Sequence, residues 1–356
     1  MNKILKSSDS DFLKKFHEVV NYDRSEILDV SSVVSDIIKN VRERGDAAVI
    51  EYTSKLDRNN EIQLEVSNDS IEEYIKDVPE DIKDALDLAA ERIKNYHQKQ
   101  LPADQSYQDE NETTLGYFWR AVESVGIYVP GGTASYPSTV LMNCIPAIVA
   151  GVKNIYLTTP ALGVPVNPAI IYAAKKCGVK EIYKTGGAHS IAALTYGTKI
   201  FKKVDKIVGP GNAFVAAAKK EVFGEVGIDM VAGPSEVSIV ADKDSNPEWI
   251  ASDLIAQAEH DSFSQSILIT NSKDLINTVY SSLKSQLRNL PKKNIASKSL
   301  KNYGLAVYCS SKKRISEVVN LIAPEHLEIC FNAACLRRLP SASASSSNSV
   351  MLMAYG

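Results

Sequence analysis

Residues 229–260 read DMVAGPSEVSIVADKDSNPEWIASDLIAQAEH, and their punctuation predicts one strand followed by one helix. An extended run enters a Gly233-Pro234-Ser235 turn, and the branched residues Val237, Ile239 and Val240 then favour a strand. Asn246 suits a helix N-cap, and Pro247 suits the first helical position, where no N–H is needed. Ile250, Leu254 and Ile255 recur at helical spacing and turn toward a core. The helix is expected to close on Gln257, Ala258, Glu259 and His260. Gln257 and His260 lie three apart and share a helix face. An amide oxygen beside an imidazole nitrogen can grip a divalent metal. The plainer reading is a polar helix end, where histidine also complements the dipole.

The same strand-then-helix texture extends over most of the chain. Strand-like runs are predicted at Val125–Val129, Lys153–Thr159, Glu181–Thr185, Lys206–Val208, Glu236–Ala241, Ser266–Thr270 and Leu305–Cys309, with helical stretches between them. Such alternation implies βα units and a mainly parallel sheet. The region before Leu115 is mostly helical. It holds an amphipathic segment at 10–20 with Phe12, Phe16 and Val19 on one face. A helix opened by Ser31 or Ser32 and ended by Gly45 follows, then helices at Asp46–Leu56 and Pro79–His97. Ile62–Val66 reads as a strand and Leu101–Thr113 as a polar surface loop.

Composition narrows the class. A length of 356 residues suggests two or three domains, and 44% apolar residues supply a core. Forty basic against 43 acidic residues, net charge −3, give no reason to invoke nucleic acid or a membrane surface. The apolar run Ile145–Val152 is too short to span a bilayer, and the N-terminus has no apolar signal core. Cys144, Cys177, Cys309, Cys330 and Cys335 form no CxxC pair, so a reducing cytoplasm is the expected setting.

Three βα junctions are glycine turns: Pro130-Gly131-Gly132, Gly186-Gly187-Ala188 and Gly209-Pro210-Gly211-Asn212. Glycine permits a tight turn, and a helix N-terminus offers N–H groups to a phosphate. One such turn usually only connects elements, whereas three in succession point to a nucleotide or anion site. None completes G-x-G-x-x-G. Ala323-Pro324-Glu325-His326-Leu327-Glu328 reads as a turn whose adjacent carboxylate and imidazole could serve as two general bases. A plain surface turn fits those six residues equally well.

In this order and spacing, GIYVPGGTASYPSTVLM, KVDKIVGPGNAFV, DMVAGPSEV, DLIAQAEHD and APEHLEI resemble histidinol dehydrogenase, over roughly residues 10–330. The resemblance implies an α/β fold of two Rossmann-like halves with parallel sheets and a small N-terminal helical segment. It divides the chain into 1–23, a discontinuous first half (24–127 plus 237–330), a dinucleotide-side half (128–236) and a tail (331–356). It implies NAD-dependent oxidation of L-histidinol to L-histidine through the aldehyde, ending histidine biosynthesis, with zinc, in a cytoplasmic homodimer. Gln257 and His260 match zinc ligands that also hold substrate, and Ser235 matches a substrate contact. Tyr128, His189 and Asn212 fall at dinucleotide contacts. His326 matches the base for the alcohol proton and Glu325 the base that activates water.

Two departures stand out. His189 occupies a position where the family usually has glutamine, and a histidine can still donate one hydrogen bond there. After Glu328 the chain has no Asp or Glu, and the Ser/Ala-rich tail is expected to be unpacked low-complexity sequence. The family's swapped C-terminal domain, with its remaining ligands, is expected to be missing, and activity impaired with it. Other readings remain open: a related dehydrogenase of another alcohol, a catalytically silent nucleotide-binding relative, or a zinc hydrolase built on Gln257, His260 and Glu325. The glycine turns disfavour the hydrolase.

Overall fold

The computed structural model describes residues 3–20, 30–131, 136–231 and 235–330 and the backbone of 351–354. The chain opens with β1 (Lys3–Lys6) and α1 (Phe12–Val20). Helices α2 (Ser31–Arg44), α3 (Asp46–Asp57), α4 (Asn68–Lys76) and α5 (Glu80–Gln98) lead to an antiparallel hairpin, β2 (Gln105–Gln108) and β3 (Thr114–Tyr117). The first alternating series is β4 (Ser124–Tyr128), α6 (Pro137–Ala150), β5 (Asn154–Thr158), α7 (Pro168–Lys176), β6 (Glu181–Tyr183), α8 (Gly187–Tyr196), β7 (Lys206–Val208), α9 (Ala213–Val222) and β8 (Gly227–Ile228). The second is β9 (Glu236–Ala241), α10 (Pro247–Ala258), β10 (Gln265–Thr270), α11 (Lys273–Arg288), α12 (Lys293–Asn302), β11 (Leu305–Tyr308), α13 (Lys312–Ile322), β12 (His326–Cys330) and β13 (Met351–Ala354). The chain forms two compact units, Leu28–Ala232 and Met1–Ile27 with Gly233–Gly356.

In the Leu28–Ala232 unit the sheet order is β6-β5-β4-β7-β8, every pair parallel. Counted from β4 this is 3-2-1-4-5, the doubly wound order whose direction reverses between β4 and β7. Strand alternation divides the core. Val125 and Ile127 pack with α6, α7 and Leu86, while Tyr128 on the opposite face joins α2, α3, α8 and α9. Val34, Ile37, Ile38 and Val41 form the buried stripe of α2, and that stripe belongs to the same core as α8 and α9. The helical region 28–123 therefore covers this sheet, and the expected pairing of 24–127 with 237–330 is replaced. Its apolar stripes pack with α6, α7, α8 and α9 and with the strands of this sheet. The expected strand at Ile62–Val66 contracts to a single bridge, Glu65 to Tyr183. The expected loop at Leu101–Thr113 contains β2 of the exposed hairpin.

In the second unit the order is β1-β11-β10-β9-β12-β13, again wholly parallel. Counted from β9 it repeats 3-2-1-4-5, with β1 added at one edge, so both halves are Rossmann-like. One face carries α10, α11 and α12 on Val237, Ile239 and Leu268. On the other face Phe12 and Phe16 of α1 pack with Val240, Ile267, Ile269 and Ile329. The N-terminal segment thus supplies a strand as well as the expected helix. The tail departs from expectation at its end, where Met351–Ala354 pairs parallel with His326–Ile329; residues 331–350 lie outside the described residues. Among the described residues no helix is long and apolar enough to cross a membrane.

A polar pair interrupts the α10-facing side of this sheet, where Glu328 of β12 meets Asp253 of α10. Burial first, and then the charge of Asp253, push the Glu328 carboxyl from its ordinary 4.5 up to about 7. A carboxyl with a raised folded pKa stabilises fully below its unfolded value, and that contribution is lost as pH rises through about 7. Because Glu328 is only about half buried, solvent screening reduces the effect to about 1 kcal/mol. Glu328→Gln should flatten the fall in thermal midpoint between about pH 5 and about pH 8. Parallel melting curves for the two proteins across that range would rule out this titration.

Candidate functional site

The carboxyl edge of the Leu28–Ala232 sheet holds the three glycine turns. They follow β4, β6 and β7, and each leads toward a helix. Gly132 lies outside the described residues. Gly209 has φ +117°, and a Cβ there would stand 2.1 Å from Tyr128 O. Only glycine lets the turn close on the end of β4. A Cβ on Gly186 would meet the ring of Pro160 at 2.7 Å. Close packing between adjacent turns thus accounts for these glycines before any ligand is considered.

Polar groups hold the turns from behind. Asp57, at the end of α3, accepts from Gly186 N at 2.8 Å, and the Tyr128 hydroxyl accepts from Gly187 N at 3.2 Å. Burial pushes the Tyr128 phenol up to about 12, so it stays protonated and keeps a proton to donate. Asn212 caps α9, its Oδ1 accepting from Phe214 N (3.1 Å) and Val215 N (3.2 Å). Its amide NH₂ is the part left for other partners.

His189 departs from the expectation of a direct dinucleotide contact. Its side chain is fully buried, and neither ring nitrogen has a hydrogen-bond partner. Nε2 stands 3.6 Å from Asp57 Oδ2, and the ring lies 5.9 Å from that of Tyr52. The cause is the position of α8, buried throughout Ala188–Thr195. The imidazole packs beneath the turn and presents nothing to a ligand.

The remaining candidates gather at the amino edge of the second unit's sheet. Ser235 precedes β9, Gln257 lies in the last turn of α10 and His260 just after it, before β10, and Glu325 and His326 open β12. The strands β10, β9 and β12 are neighbours in the sheet. The expected N-cap is present, Asn246 Oδ1 accepting from Glu248 N at 2.9 Å. The helix stops at Ala258, two residues earlier than expected, so His260 lies just beyond it, its N–H donating to Gln257 O at 3.3 Å. Ser235 O accepts from Gln265 N at 3.0 Å, and Glu325 N donates to Glu236 Oε1 at 3.4 Å, tying the entries of β9, β10 and β12 together. His326 is the first residue of a strand and not part of a free turn. Its Nε2 stands 4.0 Å from Glu325 Oε1, with the side chains 40% and 35% exposed. That separation is too long for a hydrogen bond and leaves both groups open to a substrate.

Gln257 is 9% exposed and its Nε2 has no hydrogen-bond partner. The amide oxygen, and not this nitrogen, is the atom able to take a metal. Both residues also sit at the C-terminal end of α10, whose partial negative charge favours a cation. Gln257 and His260 therefore fit part of a zinc site. Among the described residues no group of three His, Cys, Asp or Glu side chains completes it. Sequence reasoning missed Asp57, Lys219 and Asp229, which grip the turns from a distance in the chain and carry no local motif.

Residues 21–347 match the sequence profile of histidinol dehydrogenase. Histidinol dehydrogenase 1 of Nostoc sp. is 48% identical over 327 residues, which is 92% of this chain and 76% of that protein. Histidinol dehydrogenase of Pelagibacter ubique is 49% identical over 330 residues, 92% of this chain and 77% of that protein. The crystal structure of histidinol dehydrogenase from Elizabethkingia anophelis superposes with a TM-score of 0.89 at 34% identity, covering 99% of this chain and 80% of that one. With the profile spanning most of its length and close relatives agreeing, the chain belongs to the histidinol dehydrogenase family.

Proposed function

We propose that the protein oxidises L-histidinol to L-histidine through the aldehyde, in two successive NAD-dependent steps. Family membership supports this reading. One geometric observation carries it to residues: Ser235, Gln257, His260, Glu325 and His326, from separate stretches of sequence, border the amino ends of three adjoining parallel strands.

In the first oxidation His326 takes the alcohol proton as hydride leaves the carbinol carbon. In the second, Glu325 takes a proton from water, whose oxygen adds to the aldehyde carbon, and loss of a further hydride leaves the carboxylate. NAD+, when bound, accepts the hydride of each step. Its pyrophosphate suits the helix N-termini after β4, β6 and β7, with Tyr128 donating through its hydroxyl proton and Asn212 through its amide. Ser235 orients the substrate from the entry to β9. Zinc, when bound, would be held by Gln257 and His260 and would polarise the substrate as a Lewis acid. A catalytic zinc takes about three protein ligands, so these two on their own should retain it weakly.

Supplied with L-histidinol, the protein should form two NADH for each histidine released. Glu325→Gln should slow oxidation of the aldehyde by about a hundredfold and affect oxidation of the alcohol much less. Equal losses in both half-reactions, measured separately from histidinal and histidinol, would remove the roles given to Glu325 and His326. For the metal, His260→Ala should weaken zinc at least as much as the roughly hundredfold that losing an outer-shell partner can cost, with NAD+ affinity unchanged. Zinc affinity, measured by titrating zinc into the metal-free proteins, checks this; equal affinity in both proteins would take His260 out of the zinc site.

A further inference from the structure

We propose that the ion pair between buried Lys219 and partly exposed Asp229 is the positioning device of the Gly209–Asn212 turn and, through that turn, of the dinucleotide. The inference rests on the reading above that this turn receives NAD+. Lys219 lies on α9, with its side chain 4% exposed. Its Nζ donates to Gly209 O at 3.0 Å and is ion-paired with Asp229. The other carboxylate oxygen of Asp229, Oδ2, accepts from Gly209 N at 2.8 Å. Both backbone polar groups of one residue are thus gripped by opposite charges that neutralise each other. Asp229 is itself fixed, its N–H donating to Ile207 O at 3.2 Å. The clamp joins α9, the end of β8 and the turn after β7 at a single peptide.

An ion pair with one charge buried is a poor source of stability, since taking that charge out of water offsets much of the attraction. Its value here lies in geometry. Gly209 presses on the last residue of β4, and β4 and β7 flank the point where the strand order reverses, the usual crevice for a dinucleotide. Lys219 does not contact a ligand itself, because its ammonium is enclosed and its bonds go to Gly209 and Asp229. It acts by holding the turn and the start of α9 in the conformation that receives the pyrophosphate.

The test titrates NAD+ into the full 356-residue chain by calorimetry. Lys219→Met should weaken NAD+ by about tenfold or more, whereas Lys219→Arg, which keeps a donor and a charge, should bind within about threefold of the unaltered chain. A merely structural role would lower the thermal midpoint yet leave NAD+ affinity unchanged well below it. Where Lys219→Met leaves Asp229 stranded and fails to fold, the double variant Lys219→Met, Asp229→Leu removes both charges and must show the same loss. Asn212→Ala is the control for the reading beneath the proposal. Weakened binding in Asn212→Ala alone, with folded Lys219 variants unchanged, overturns the clamp and leaves the dinucleotide site standing. Unchanged binding in all variants, or no binding by the unaltered chain, removes that site and the clamp's role together.

Discussion

Parallel strands impose a direction on everything built around them. Each crossover brings its helix N-terminus to the edge where strands end and its C-terminus to the edge where they begin. With every strand of both large sheets parallel, the two edges of each sheet differ electrically: one offers unpaired N–H groups and partial positive charge, the other carbonyls and partial negative charge. The glycine turns of the Leu28–Ala232 unit lie on the first kind of edge, suited to a pyrophosphate. Gln257, His260, Glu325 and His326 lie on the second kind, where α10 and α13 end, suited to a metal cation and to a base that gains a proton. The same strand order thus serves opposite chemistry according to which edge carries the side chains.

Within that framework the buried polar groups mark the places where geometry outweighs hydrophobic burial. Asp57 reaches from α3 to Gly186, and Lys219 with Asp229 holds Gly209. Asp57 and Lys219, both buried, have their hydrogen bonds, as a buried charge must. Buried atoms without a partner include those of two candidate residues. Gln257 Nε2 lacks a partner beside the oxygen where a metal is proposed, and both nitrogens of His189 lack one beneath the Gly186-Gly187 turn. The imidazole there fills volume beneath the turn without entering the network that Asp57 and Tyr128 make around it.

Much of the fold is legible locally because branched residues, caps and turns act over a few positions. Strand centres from β4 to β7 and from β9 to β11 fall where the sequence places them, and Asn246 caps α10 as its chemistry requires. β12 was hidden because a Pro-Glu-His stretch looks like a turn until Leu327 and Ile329 find a core. β1 was hidden because its partner among the described residues, β11, lies about three hundred residues away.

The residues by themselves determined the class of fold and the family, since these depend on local periodicity and on motifs read in order. Tertiary structure alone decided which sheet the N-terminal helices cover, because an apolar stripe does not name its partner. It also decided that His189 faces inward, because only the packing of α8 against α2, α3 and α9 sets which side of that helix is enclosed. And it decided that Gly209 is held by a lysine and an aspartate from other elements, since a clamp closed across the fold leaves no periodic trace in the sequence.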